Sequence, residues 1–210
     1  MANVGAGGLE IVRPLVQIVR DAPRHPDFLR QLARTATDFK PPLGFRGSLV
    51  VAPQDPHAAA EEIRARGDAP GIVQVLLPLA SEAGYGQPRY LPIFEAAVEL
   101  GLPVALHPAG GGLGVNPPPT ATGHPSYYVE LHSLFCEQAM AQLVSLLCHG
   151  TFERFPELRL VMIETGVLWL PGIVWRLDGN WRCLRSEVPW LTRLPSEYIA
   201  EHFHFGYMTD

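Results

Sequence analysis

Long basic runs are absent from this chain. Its 16 lysines and arginines are outnumbered by 21 aspartates and glutamates, for a net charge of −5. Nucleic acid and anionic membranes are therefore excluded as natural partners, because neither finds a positive footprint. Cysteine is scarce. Cys136, Cys148 and Cys183 are widely spaced and form no CxxC pair, which excludes a disulfide framework and fits the reduced thiols of a cytoplasmic protein. No window reaches the roughly 18 uninterrupted apolar residues of a membrane helix. The N-terminus lacks the basic stretch and long apolar core of a signal peptide. No GxGxxG follows a strand-like run, and GxxxxGK[ST] and GxSxG are missing. A dinucleotide fold, a phosphate loop and a nucleophile elbow therefore have no support. There is no internal repeat and no low-complexity linker, so residues 1–210 read as one domain.

What remains is an ordinary globular composition with much proline. The 210 residues are 47% hydrophobic and 18% charged, and 21 are proline, many in loops such as Asn116-Pro117-Pro118-Pro119. That is enough apolar material for one sizeable core. Short apolar runs at 47–52, 72–77, 103–106 and 159–164 read as buried strands. Two further strands are expected at 9–19 and 203–208. Helices are expected at 27–39, 57–66, 91–100, 128–148 and 167–184. Asp27 serves as a cap for the first of these, and Pro56 stands at the first turn of the second. The alternation of strand and helix predicts an α/β fold with a parallel sheet.

One strand announces chemistry. The run 102–106 ends abruptly in His107, followed by Pro108-Ala109-Gly110-Gly111-Gly112. A histidine at the C-terminal tip of a parallel strand points into the region where α/β barrels keep their active sites, and the glycines let a ligand or loop approach. A loop follows to about Ser126. It exceeds the roughly 12–15 residues of ordinary connectors, so it is expected to be a functional lid or an insertion. The run 159–164 also ends in an ionisable residue before glycine, Glu164-Thr165-Gly166. His202-Phe203-His204 is a genuine HxH, with two histidines sharing a face if the segment is a strand. It lies at the start of the last strand, the wrong end of a barrel for the site. His124 reads as a solvated lid residue, His149 as a helix C-terminal cap, and His25 and His57 as surface.

In this order the residues resemble a known family. Phe45-Arg46-Gly47-Ser48-Leu49-Val50-Val51-Ala52-Pro53-Gln54-Asp55-Pro56 is similar to the third strand of the amidohydrolase-related branch of the amidohydrolase superfamily, which includes aminocarboxymuconate semialdehyde decarboxylase. Residues 102–112 resemble its fifth strand. Phe152-Glu153-Arg154-Phe155-Pro156-Glu157-Leu158, Trp169-Leu170-Pro171 and Trp175-Arg176-Leu177-Asp178 resemble its sixth strand and following helix. Pro195-Ser196-Glu197-Tyr198-Ile199 resembles the lead into its seventh.

The resemblance implies a (β/α) TIM-type barrel with substrate bound at its C-terminal face. It implies His107 as a metal ligand and Glu164 in the place of a histidine that better-known members carry. It also brings in His132, early in the helix after the lid, as a candidate catalytic residue beside Glu164, against the alternative of a helix-surface residue. The first-strand HxH pair and the eighth-strand aspartate of the family have no match here, so the barrel is expected to be incomplete, truncated at both ends. The implied function is a metal-dependent hydrolase or non-oxidative decarboxylase of a small carboxylated or carbonyl-bearing molecule. Its cofactor would be a divalent metal, zinc first and manganese second, and its assembly a homodimer. The alternative is an inactive barrel fragment or interaction remnant without a complete metal site.

Overall fold

The computed structural model describes residues 46–206. The strand expected at 9–19, the helix expected at 27–39 and the end of the strand expected at 203–208 lie outside them. Five strands form one sheet in the order β1-β2-β3-β4-β5: Gly47–Val50, Ile72–Pro78, Val104–His107, Leu160–Met162 and Phe203–Phe205. Every pairing is parallel. A sheet whose spatial order equals its chain order has no switch point, which separates it from a doubly wound sheet and gives it the winding of a (β/α) barrel.

The connections are helical: α1 (Pro56–Arg66), α2 (Leu91–Glu99), α3 (Tyr128–Ser133), α4 (Phe135–Cys148), a single turn α5 (Thr151–Arg154), α6 (Leu170–Leu184) and α7 (Pro195–His202). Helix α1 starts where it does because Asp55 accepts a bond from the Ala58 amide at 3.0 Å while Pro56 needs no amide partner. Helix α2 ends before Gly101, whose φ of 65° suits the turn into β3.

The helix expected over 128–148 is two helices. Leu134 leaves the helical region at φ −107°, ψ 8°, and its amide bonds back only three residues to Leu131. Just before the break, Ser133 Oγ donates back to the Val129 carbonyl at 2.6 Å, a backward serine bond of the kind that bends helices. The expected strand 159–164 shortens to Leu160–Met162, and α6 begins at Leu170, not Val167. The cause of both is the turn between them, described below.

The two faces of the sheet differ. Leu49, Val75, Leu77, Val104, Leu106, Leu160, Met162 and Phe203 point into a core shared with the helices and are buried. Truncating one such residue to alanine costs about 2–5 kcal/mol. Side chains on the other face run in register from strand to strand: Val50 beside Leu76, Leu76 beside Ala105, Ala105 beside Val161, Val161 beside His204. This is the inner face of the barrel wall, and Val50 and His204 on it are exposed among the described residues.

Candidate active site at the strand ends

His107 closes β3 on that inner face, opposite Pro78 of β2. The backbone around it is held from both sides. Leu79 N donates to the His107 carbonyl at 2.7 Å, and Ile163 N donates to the Leu106 carbonyl at 2.9 Å. Ile163 is therefore still tied to β3 although β4 has ended, and the next residue, Glu164, is delivered beside the histidine. Glu164 Oε2 lies 3.2 Å from His107 Nε2. The other ring nitrogen, Nδ1, is 3.1 Å from the Pro108 carbonyl. With Nδ1–H donating there, the Nε2 lone pair faces the carboxylate side.

The turn that presents Glu164 is strained. Its φ is 54°, the one positive value at a non-glycine among the described residues, and Gly166 follows at 65°. An L-residue in this region costs about 1–2 kcal/mol. The turn is clamped by the Trp169 indole, whose Nε1–H reaches the carbonyls of Thr165 at 2.9 Å and Gly166 at 3.0 Å. This clamp ends β4 early and delays α6. Strain held in place by neighbouring bonds at a cleft is a pointer to function.

The loop 108–127 is tied down rather than free. Asn116, 8% exposed, donates through Nδ2 to the Gly110 carbonyl at 3.0 Å and toward the Ala80 carbonyl at 3.4 Å. It links the loops after β2 and β3. A Cβ at Gly111 would sit 2.7 Å from Pro119, so only glycine allows the loop to fold on itself there. Helix α4 adds a polar row at helical spacing. Gln138 Nε2 donates to the Pro119 carbonyl at 2.9 Å. Gln142 donates to the Leu79 carbonyl and Ser81 Oγ and accepts from Tyr85 N, and Ser145 Oγ accepts from Gly86 N. Asn116, Gln138 and Gln142 were not singled out by sequence reasoning, and Trp169 entered only as part of a run resembling the family. A buried glutamine on an otherwise apolar helix face was the available signal.

The remaining sequence candidates scatter. His132, half-buried on α3, packs between the rings of Tyr128 at 5.6 Å and Phe135 at 5.1 Å, and the structure does not bring it to the His107–Glu164 pair. The HxH histidines do not share a strand face. His202 is the last residue of α7, stacked on Phe152 at 4.4 Å with Nδ1 3.0 Å from the Leu158 carbonyl, while His204 lies on β5. Both belong to the N-terminal end of the sheet or the strand middle. Burial holds the His202 imidazole below its ordinary pKa, the Leu158 carbonyl and Glu201 opposing that shift. Among the described residues no group of three or more His, Cys, Asp or Glu side chains is placed to hold a metal. The pair supplies two donors, one nitrogen and one oxygen, which suit a divalent ion but fall short of the about three protein ligands of a catalytic site. No described helix is long and apolar enough to cross a membrane.

Three comparisons bear on this geometry. The amidohydrolase family model matches residues 13–209. A gamma-resorcylate decarboxylase from Rhodococcus jostii is 29% identical over 223 residues, covering 96% of this chain and 64% of its own length. The chain thus spans less than two thirds of that curated relative. Among solved structures, 5-carboxyvanillate decarboxylase from Sphingomonas paucimobilis is 25% identical with a TM-score of 0.57, over 96% of this chain and 58% of that one. The 5-carboxyvanillate decarboxylase from Novosphingobium aromaticivorans, complexed with manganese and 4-hydroxy-3-methoxy-5-nitrobenzoic acid, is 22% identical with a TM-score of 0.65, over 96% of this chain and 55% of that one.

Proposed function

As a member of the amidohydrolase family, with its described strands wound as in a (β/α) barrel, the chain carries, we propose, part of the active site of a metal-dependent non-oxidative decarboxylase acting on a small hydroxylated benzoate. The observation that supports this most is the His107–Glu164 pair, 3.2 Å apart at the C-terminal ends of two adjacent strands. Decarboxylation is preferred over hydrolysis because the curated relatives matched over more than nine-tenths of the chain are gamma-resorcylate decarboxylases.

In this reading His107 holds a divalent metal through Nε2, with its ring fixed by the Pro108 carbonyl. A bound divalent ion polarises oxygen donors of a substrate and stabilises charge that builds up as a bond breaks. Water would fill the remaining coordination positions. Glu164 assists on the open side of the imidazole. The loop 108–127, held by Asn116 and Gln138, walls the site and keeps water from the carbon that gains a proton when CO2 leaves. Manganese is the first metal to test and zinc the second, and a homodimer is the proposed assembly.

The test is CO2 release from 2,6-dihydroxybenzoate and from 5-carboxyvanillate by the purified chain loaded with manganese. Release that disappears in His107→Ala supports the reading. Absence of release and of bound metal supports an inactive barrel fragment instead.

A further inference from the structure

Resting on the metal-dependent reading above, we infer that Glu164 is itself a ligand of the metal held by His107, so that one imidazole and one carboxylate grip the ion across the gap between β3 and β4. The spacing carries this. Two ligand atoms about 2.0–2.2 Å from one ion stand about 2.9 Å apart at a right angle and about 3.4 Å apart at a tetrahedral angle. The observed Nε2 to Oε2 separation of 3.2 Å falls between these values. The other ring nitrogen, Nδ1, lies 3.1 Å from the Pro108 carbonyl, and a proton placed on Nδ1 is held there. That arrangement leaves Nε2 as the ligating atom and the carboxylate oxygen beside the position an ion would take.

The backbone adds a second observation. Nothing in the packing of the Glu164 side chain repays its left-handed φ of 54°, because that side chain is 58% exposed. The turn is held by Trp169, and what the turn accomplishes is to carry the carboxylate to His107. A carboxylate oxygen in place of a second imidazole makes the donor set harder and shifts it toward manganese relative to zinc.

Manganese titration of the full 210-residue chain, followed by the electron paramagnetic resonance of free ion, tests the assignment. Zinc competition is measured in parallel, and thermal melts report folding. With Glu164 as a ligand, Glu164→Gln weakens manganese binding by more than the roughly 10–100-fold that loss of an outer-shell partner costs, at an unchanged melting temperature. Glu164→His restores binding and moves the preference toward zinc. Glu164→Gln and Glu164→His variants that both bind manganese and zinc like the parent, in a protein whose His107→Ala variant has lost the metal, overturn this inference and leave the metal-dependent reading standing. A parent chain that takes up no manganese, or a His107→Ala variant that binds it normally, overturns both.

Discussion

His107 and His202 sit at opposite ends of the same sheet and show what separates a histidine available for chemistry from one spent on structure. His202 is 1% exposed, stacked on Phe152 at 4.4 Å, with Nδ1 3.0 Å from the Leu158 carbonyl. His107 has a side chain 37% exposed, one ring nitrogen anchored and the other facing a carboxylate across open space. Both arise from short sequence signatures that look alike on paper. The difference comes from strand polarity. The C-terminal ends of parallel strands open onto loops, while the N-terminal ends are plugged by the preceding helix.

The largest expected effect breaks this comparison at the metal. His107→Ala should lower manganese affinity by more than about 100-fold, since one of few ligands is lost, whereas replacing His202 and His204 together by glutamine should leave it within about threefold, by isothermal titration. Equal losses would mean that the ends of the barrel have been assigned the wrong way round. The reverse asymmetry is expected in stability. His202→Ala removes a buried ring and one partner of the Leu158 carbonyl, for a loss of about 2–3 kcal/mol in urea unfolding. His107→Ala should change the same quantity by less than about 1 kcal/mol, as is usual for a surface position.

A pH titration sharpens the contrast. His202 has its folded pKa depressed by burial below the unfolded value near 6.5. The unfolded chain therefore binds the proton more readily, and stability rises with pH across this window. The contribution is fully present above about pH 6.5 and is lost as the pH falls toward the folded pKa. His202→Gln should flatten that slope, and an unchanged slope would locate the titrating group elsewhere. The smallest effect concerns Glu164. Glu164→Gly relieves the positive φ but adds conformational entropy to the unfolded chain, for a net gain of less than about 1 kcal/mol. It should still weaken the metal site, so that stability and binding move in opposite directions.

Much of this frame was legible in the sequence. β3 is an apolar run ended by His107, β2 is one broken only by Gln74 and ended by Pro78, and α1 is announced by Asp55 and Pro56. The meeting of His107 and Glu164 followed from two strands that each end in an ionisable residue before glycine. What escaped depended on bonds between distant residues. The break at Leu134 follows a serine that bonds backward, and nothing in the local pattern favours a break there over a continuous helix. The Trp169 clamp and the Gln138–Gln142–Ser145 row bind carbonyls and amides, which carry no sequence signal. His132 has suitable chemistry on a helix whose orientation the sequence does not encode, and it spends its ring on Tyr128 and Phe135.

The most direct measurement is a crystal structure of the chain soaked in manganese, with anomalous diffraction collected to place the ion. The account expects a single strong peak about 2.1 Å from His107 Nε2, shared with a Glu164 carboxylate oxygen at the C-terminal ends of β3 and β4. A peak at His202 or His204, or none within reach of His107, would contradict it.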